Sequence, residues 1–464
     1  MLELSRVTSV FKAYDIRGVV GTQLDQELVR AVGAAFARLI APSNAVVIGR
    51  DMRASSPELA RAFAAGVTSE GLDVVDIGLA STDMLYYAAG SLELPGAMFT
   101  ASHNPAHYNG IKLCRAGAVP VAEDTGLAQI KSDLGAQTRP AEPTRTRRGV
   151  VTQRDVLGDY AVYLRGLVDL SRMRPLKVVI DAGNGMAGHT VPSVLNGLPI
   201  ELVAMYFELD GTFPNHEANP LDPANLVDLC AKVRAEGADL GLAFDGDADR
   251  CFVVDERGEP VSPSAITALV AVRELAREPG APVIYNLITS RAVPEIVTEH
   301  GGRPVRTRVG HSFIKQTMAE TGAIFGGEHS AHYYFRDFWR ADSGMLAALH
   351  VLATLGERDR ALSEIMADYG RYAASGEINS LVMDPVARLA EVRRYYAQHA
   401  GVAMDELDGL TVMLADGSWF NLRPSNTEPL LRLNVEAATS DVVDALCNEV
   451  LTLVRGQDRP SVQA

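Results

Sequence analysis

Along this chain, apolar residues gather in short unbroken runs, each followed by a small or polar turn, a stretch with helical spacing, a glycine and a second apolar run. Three segments share the rhythm. The first goes from Val46-Val47-Ile48-Gly49 through SPELARAFAAGVTSEG to Val74-Val75-Asp76-Ile77-Gly78. The second opens at Val178-Val179-Ile180-Asp181, turns at Gly183-Asn184-Gly185 and returns near Glu201-Leu202-Val203. The third opens at Val283-Ile284-Tyr285-Asn286, continues through SRAVPEIVTEHGG and returns at Val305-Arg306-Thr307. Each reads as a βαβ unit. Their starts lie 132 and 105 residues apart, too far for a solenoid and suited to tandem α/β domains.

After a change of pattern between Gly356 and Gly376 comes a strand-rich stretch, LTVMLADGSWFNLRPSNTEPLLRLNVEA, then one helix over 441–454. The fold class expected is therefore α/β: three similar tandem α/β domains and a smaller α+β C-terminal domain. The Pro- and Arg-rich RPAEPTRTRR at 139–148 and DERGEPVSP at 255–263 read as linkers. The expected domains are 1–150, 151–256, 257–368 and 369–464.

Composition narrows the function. The 464 residues are 47% apolar and 22% charged, enough for several cores. Lys+Arg at 43 against Asp+Glu at 58 leave a net charge of −15, a field that repels nucleic acid and anionic membranes. The four cysteines stand far apart without a CxxC pair, which argues against a zinc site and a disulfide scaffold and for a reducing, cytoplasmic setting. No window has the length and apolarity of a membrane span, and the first ten residues lack a signal-peptide core.

Five stretches carry chemistry. In Asp245-Gly246-Asp247-Ala248-Asp249-Arg250, three carboxylates alternate with small residues after an apolar run, so a tight loop can turn them toward one hard cation such as Mg²⁺. An EF-hand reading fails because Arg250 stands where the sharp turn needs glycine; a solvated acidic turn is the plain alternative. Thr100-Ala101-Ser102-His103-Asn104-Pro105 sets Ser102 on a loop after a strand, as a nucleophile or a turn-stabilising hydroxyl. Its neighbour His103 is expected to point away from it. Lys112 offers a cation ten positions on. Arg423-Pro424-Ser425-Asn426-Thr427-Glu428-Pro429 has the donors of a phosphate site, or those of an ordinary polar hairpin. In Gly326-Gly327-Glu328-His329-Ser330-Ala331-His332, Glu328, Ser330 and His332 would share one face if the stretch is extended, a surface for sugar hydroxyls. Tyr14-Asp15-Ile16-Arg17-Gly18 puts Arg17 beside a glycine.

Taken together and in this order, FKAYDIRG, TASHNP, DGDADR, GEHSAH and RPSNTEP resemble the α-D-phosphohexomutase superfamily, most closely its phosphomannomutase/phosphoglucomutase branch, over nearly the whole chain. The resemblance implies four domains around a central cleft. It implies that Ser102 is a phosphoserine, that Asp245, Asp247 and Asp249 hold Mg²⁺ with a phosphoserine oxygen, and that Arg17, Lys112 and Arg250 surround the transferring phosphate. Lys112 and His332 become candidates for general acid/base work. Glu328 and Ser330 would bind sugar hydroxyls, His311 would contact ligand, and Arg423, Ser425, Asn426 and Thr427 would grip the phosphate that is not reacting.

The implied activity interconverts mannose 1-phosphate and mannose 6-phosphate, and the glucose pair, through glucose 1,6-bisphosphate or mannose 1,6-bisphosphate. Such an enzyme has a small phosphosugar substrate, no nucleic-acid or membrane partner, and is a cytoplasmic monomer or homodimer. Two features bear on the sugar: Ile288 stands where some members have a sugar-contacting lysine, and the sugar loop reads GEHSAH rather than a methionine or glutamine version. A glucosamine-phosphate mutase and a metal-dependent sugar phosphatase are the alternatives.

Overall fold

The computed structural model describes residues 4–41, 43–135, 147–425 and 430–456, with the side chains of Leu4 and His311 left aside. It divides into two compact units, Met1–Pro263 with Ser330–Ile365, and Ser264–His329 with Met366–Ala464.

In the first unit, one mixed sheet runs Ile16–Val19, Tyr108–Arg115, Gly96–Phe99, Ala45–Arg50, Asp73–Leu79, Val151–Gln153, with Val119–Pro120 paired to Tyr108–Arg115. Ala45–Arg50 is parallel to both its neighbours, whereas Tyr108–Arg115 runs antiparallel to Gly96–Phe99 and to Ile16–Val19. The helix Gln26–Leu39 starts where the Asp25 carboxylate accepts from the Leu28 amide, satisfying a donor that the first turn leaves open. Its apolar stripe of Leu28, Val29, Val32 and Phe36 joins Leu59, Phe63 and Val67 of Ser56–Ser69 and Phe99 of the sheet in one core. The strand Val151–Gln153, which closes this sheet beside Asp73–Leu79, comes after the Arg-rich stretch that reads as a linker. Residues 139–146 of that stretch lie outside the described residues.

A second sheet in the same unit runs Pro260–Val261, Cys251–Asp255, Leu240–Phe244, Leu176–Asp181, Ile200–Met205. Leu240–Phe244 is buried at every position, as the unbroken apolar run requires of a strand covered on both faces. DERGEPVSP is not unstructured: Asp255 ends one strand, Pro260–Val261 pairs back onto it, and the helix Pro263–Arg277 follows directly. The turn is closed by Asp255, whose carboxylate accepts from the Arg257 and Glu259 amides. The hairpin of Tyr333–Phe335 with Ala341–Asp342 and the helix Gly344–Gly356 also belong to this unit. That helix is apolar but for His350 and Thr354 and is buried at every residue, as such a pattern demands.

In the second unit, Pro282–Asn286 lies parallel between Arg303–Thr307 and Phe325–Gly327, with the helices Ala292–Glu299 and His311–Thr321 connecting them. A separate antiparallel sheet runs Ala373–Leu381, Leu430–Ala437, Trp419–Pro424, Leu410–Met413, Ala403–Asp405. Val443, Leu446, Val450 and Val454 of Ser440–Arg455 share a core with Phe420, Leu422, Leu431 and Leu433 of that sheet. The α/β reading of the earlier segments and the α+β reading of the last therefore hold.

Candidate active site

The acidic loop is the turn of a hairpin. Phe244 faces Cys251 across the Leu240–Phe244 and Cys251–Asp255 pair, so residues 245–250 close the end of the sheet. Ala248 takes a left-handed φ of 58°, and its amide donates to the Asp245 carbonyl at 3.0 Å. Asp245, Asp247 and Asp249 are all buried, and each offers an oxygen within 4.8 Å of those of the other two. Among the described residues, Asp247 Oδ1 and Asp249 Oδ1 have no hydrogen-bond partner. Buried carboxylate oxygens left unpaired are costly, and an all-oxygen set of this kind matches the chemistry of a hard divalent cation. The residues fit such an ion.

Ser102 comes to this loop from the other sheet. It follows Gly96–Phe99 and has φ 50°, a left-handed conformation that costs a non-glycine residue on the order of 1–3 kcal/mol and must be imposed by its surroundings. Its amide donates to Thr100 Oγ1 at 2.9 Å, and its hydroxyl donates to Asp245 Oδ2 at 2.7 Å. Gly246 makes the approach possible: a Cβ there would lie 2.5 Å from the Ser102 carbonyl oxygen.

Cations close around these groups. Arg250 Nε donates to Asp245 Oδ2 at 2.9 Å, and its Nη2 lies 3.5 Å from Ser102 Oγ. The antiparallel return of Tyr108–Arg115 puts Lys112 opposite Met98, from where Nζ donates to Asp247 Oδ2 at 2.7 Å and to Asp249 Oδ2 at 2.6 Å. Arg17 Nη1 donates to Asn104 Oδ1 at 2.6 Å, and Asp15 holds the rest of its guanidinium. His332 pairs with Arg250 in an isolated β-bridge, and its Nε2 lies 3.8 Å from Asp249 Oδ1.

Charge and burial set the titration of the cluster. Burial, with the like charges of Asp249 and Asp247, pushes Asp245 up to about 7 against the pull of Arg250. Burial also opposes ionisation of Asp247, but the charge and hydrogen bond of Lys112, with that of Thr82, hold it well below the usual carboxylate range. Lys112 is desolvated yet held well above its ordinary value by Asp247 and Asp249.

His103 overturns the expectation that it diverges from Ser102. Its Nδ1 sits 3.2 Å from Ser102 Oγ and 2.5 Å from Arg250 Nη2. Burial and the charges of Arg250 and Arg17 push this imidazole well below its ordinary pKa, so it is neutral and accepts from the guanidinium. Sequence reasoning also passed over Thr82, at the first turn of Thr82–Ser91, which donates to Asp247 Oδ2 at 2.6 Å through Oγ1 and to the Asp247 carbonyl at 2.9 Å through its amide. An N-cap signal, Ser81 before Thr82, was the available clue.

The sugar-loop stretch is not extended. Residues 329–331 bend the chain, with Ala331 at φ 63°. The alternation that would set Glu328, Ser330 and His332 on one face is therefore absent. Glu328 accepts from Asn286 Nδ2 at 3.2 Å and from the Gly310 amide at 3.3 Å within the second unit. Ser330 Oγ lies 3.0 Å from His332 Nδ1 in the first. Asp342, also unremarked in the sequence, brings a ligand atom within 4.8 Å of those of His332 and Asp249. Arg423, at the end of Trp419–Pro424, donates to Glu377 Oε2 at 3.1 Å, and the Ser425 amide donates to the Leu430 carbonyl at 2.9 Å. Asn426 and Thr427 lie outside the described residues, as does the side chain of His311. Ile288 is buried in the second unit. A cavity of about 420 Å³ there is lined among others by Tyr285, Arg306, Asp405 and Trp419, and none of the candidate site residues lines it.

Four family models match the chain in order: phosphoglucomutase/phosphomannomutase alpha/beta/alpha domain I at residues 8–139, domain II at 159–258, domain III at 262–372, and the C-terminal domain at 377–453. A protein of Escherichia coli (strain K12) named phosphomannomutase is 40% identical over 453 residues, covering 96% of this chain and 98% of that protein. One of Xanthomonas campestris pv. campestris named phosphohexose mutases is 41% identical over 451 residues, covering 96% and 99%. The crystal structure of a phosphoglucomutase/phosphomannomutase family protein from Burkholderia thailandensis superposes with a TM-score of 0.86 at 34% identity, covering 99% of each chain.

Proposed function

Since the chain belongs to the phosphoglucomutase/phosphomannomutase family, we propose that it interconverts mannose 1-phosphate and mannose 6-phosphate, and the corresponding glucose phosphates, by way of a phosphoserine at Ser102. The observation that carries this reading is the Ser102 hydroxyl itself, held in a strained left-handed turn at 2.7 Å from Asp245 with Arg250 and Lys112 around it. The names of relatives at about 40% identity favour mannose over glucosamine.

A phosphoserine brings about −1.5 to −2 charge into a site with three aspartates, so cations must join it. Arg17, Lys112 and Arg250 take that role. Asp245, Asp247 and Asp249 would hold Mg²⁺ with a phosphoserine oxygen, and the ion supplies Lewis-acid neutralisation of phosphoryl oxygens when bound. Phosphoryl transfer needs alignment and charge stabilisation more than covalent help from the protein. The free sugar hydroxyl attacks phosphorus as the Ser102 Oγ–P bond breaks; the hydroxyl gives up its proton and the freed Ser102 Oγ takes one, with Lys112 and His332 the candidates for this acid/base transfer. The hexose 1,6-bisphosphate so formed turns over and returns its other phosphate to Ser102; glucose 1,6-bisphosphate or mannose 1,6-bisphosphate therefore primes the enzyme.

Glu328 and Ser330 are assigned to sugar hydroxyls and His311 to a further ligand contact; Arg423, Ser425, Asn426 and Thr427 are assigned to the distal phosphate. The four-domain division at 150, 256 and 368 belongs to the same reading, as do a cytoplasmic setting and a monomeric or homodimeric state. Among the described residues no helix is long and apolar enough to cross a membrane.

Phosphorus NMR of the purified protein with mannose 1-phosphate, Mg²⁺ and a trace of glucose 1,6-bisphosphate tests the proposal. Signal moving to hexose 6-phosphate with little free phosphate supports it, and repeating the run with glucose 1-phosphate ranks the sugars. Accumulating free phosphate would make the protein a phosphatase instead.

A further inference from the structure

The residue that most shapes the Ser102 loop touches none of the reacting atoms. Arg53 is 1% exposed, and all five of its guanidinium N–H groups have acceptors. Nε donates to Asp51 Oδ2 at 3.2 Å. Nη1 donates to the carbonyls of Pro105 at 2.8 Å and Tyr108 at 3.0 Å. Nη2 donates to the carbonyls of Ser102 at 2.9 Å and Asn104 at 2.6 Å. One side chain thus ties together four carbonyls between residues 102 and 108.

The anchor beneath it is equally well tied. Asp51 Oδ1 accepts from the Arg53 amide at 3.0 Å and from Ser56 Oγ at 2.5 Å. The guanidinium carbon lies 5.1 Å from the centre of the Phe213 ring. A planar fork with five fixed donors suits this task, whereas a lysine with three donors on a flexible stem cannot reproduce it.

We propose that Arg53 is the positioning residue for phosphoryl transfer, fixing the Ser102 carbonyl so that Ser102 keeps its left-handed turn and its oxygen stays aligned. This rests on the reading of Ser102 as the phosphate carrier. Because Arg53 acts through the backbone of the loop, its loss misaligns the transfer and leaves sugar and distal-phosphate recognition as they were.

The test compares the full-length enzyme with Arg53→Lys in Mg²⁺ and glucose 1,6-bisphosphate. A displacement near 1 Å at a reacting group costs about 100-fold in rate, so kcat is expected to fall about that far while KM for mannose 1-phosphate stays within about twofold. Arg53→Ala is expected to regain part of kcat in millimolar methylguanidinium and none in tetramethylammonium, a response that a merely structural residue does not give. Should both variants fail to fold, Asp51→Asn keeps the arginine and loosens its anchor, and a several-fold drop in kcat at unchanged KM is the expected result. A folded Arg53→Lys enzyme with kcat within about threefold of the parent would overturn the positioning role, as would a raised KM at constant kcat; if Arg53→Lys does not fold, an Asp51→Asn enzyme with unchanged kcat would do the same. Mass spectrometry of the parent after bisphosphate treatment separates the two claims: phosphate on Ser102 with an active Arg53→Lys variant removes only the positioning role, whereas no phosphate on Ser102 removes the reading beneath it.

Discussion

Gly246→Ala puts the approach of the acidic and serine loops to a direct test. The added methyl would lie 2.5 Å from the Ser102 carbonyl oxygen, and ordinary contact begins near 3.4 Å, so the two loops must separate by close to 0.9 Å. Neither can yield easily, since the Ser102 carbonyl is held by Arg53 at 2.9 Å and the Gly246 carbonyl accepts from the Met186 amide at 2.9 Å. A displacement of that size between Ser102 and the clustered carboxylates is expected to lower kcat by about 100-fold, or about 2.7 kcal/mol in the barrier. Overpacking adds about 1–3 kcal/mol of destabilisation, which circular dichroism melts will register as a lower Tm with an intact spectrum. Initial rates of mannose 6-phosphate formation, in a coupled assay across substrate and Mg²⁺ concentrations, separate kcat from KM. A folded Gly246→Ala enzyme with parental kcat would refute the argument that these loops must touch.

Ser102→Ala is expected to abolish mutase turnover by more than about 10³-fold while the fold persists, a loss of more than about 4 kcal/mol of barrier lowering; phosphorus NMR and a thermal melt check both halves. Asp247→Asn removes one of three clustered carboxylates, and the Mg²⁺ concentration for half-maximal rate is expected to rise at least about tenfold together with a fall in kcat. Asp83→Asn probes a buried carboxylate that accepts from Ser343 Oγ at 2.6 Å and from Tyr160 Oη at 2.8 Å, and that burial raises from 3.8 to about 6. Its folded pKa lies above the unfolded one, so the fold gains from the protonated form: stability from this group is full below about pH 4 and is lost as pH rises through about 6, by about 3 kcal/mol. The Tm of Asp83→Asn is therefore expected to vary less than that of the parent between pH 4 and 7; identical profiles would show that Asp83 does not titrate there.

The hydrophobic pattern alone located the three βαβ segments. The runs at 46–49, 178–181 and 283–286 lie inside strands Ala45–Arg50, Leu176–Asp181 and Pro282–Asn286, and SPELARAFAAGVTSEG contains the helix Ser56–Ser69. Such runs are legible because burial repeats with the period of the element that carries it. The aspartates at 245, 247 and 249 were legible for a similar reason: a tight hairpin loop draws nearby carboxylates together, so spacing and geometry are one statement.

Tertiary structure decided which residues distant in the chain meet. Thr82 and Asp247 are 165 positions apart, Arg53 and Asn104 51 apart, and no local pattern links either pair. It also decided local shapes that run against residue type: left-handed φ occurs at Ser102 and Ala331, where nothing about serine or alanine signals it, His103 lies beside the Ser102 hydroxyl, and GEHSAH leaves the extended face. A local period records what a residue buries, whereas these arrangements come from loops closing on one another, where buried carbonyls and carboxylates take whatever donors the packed neighbours supply.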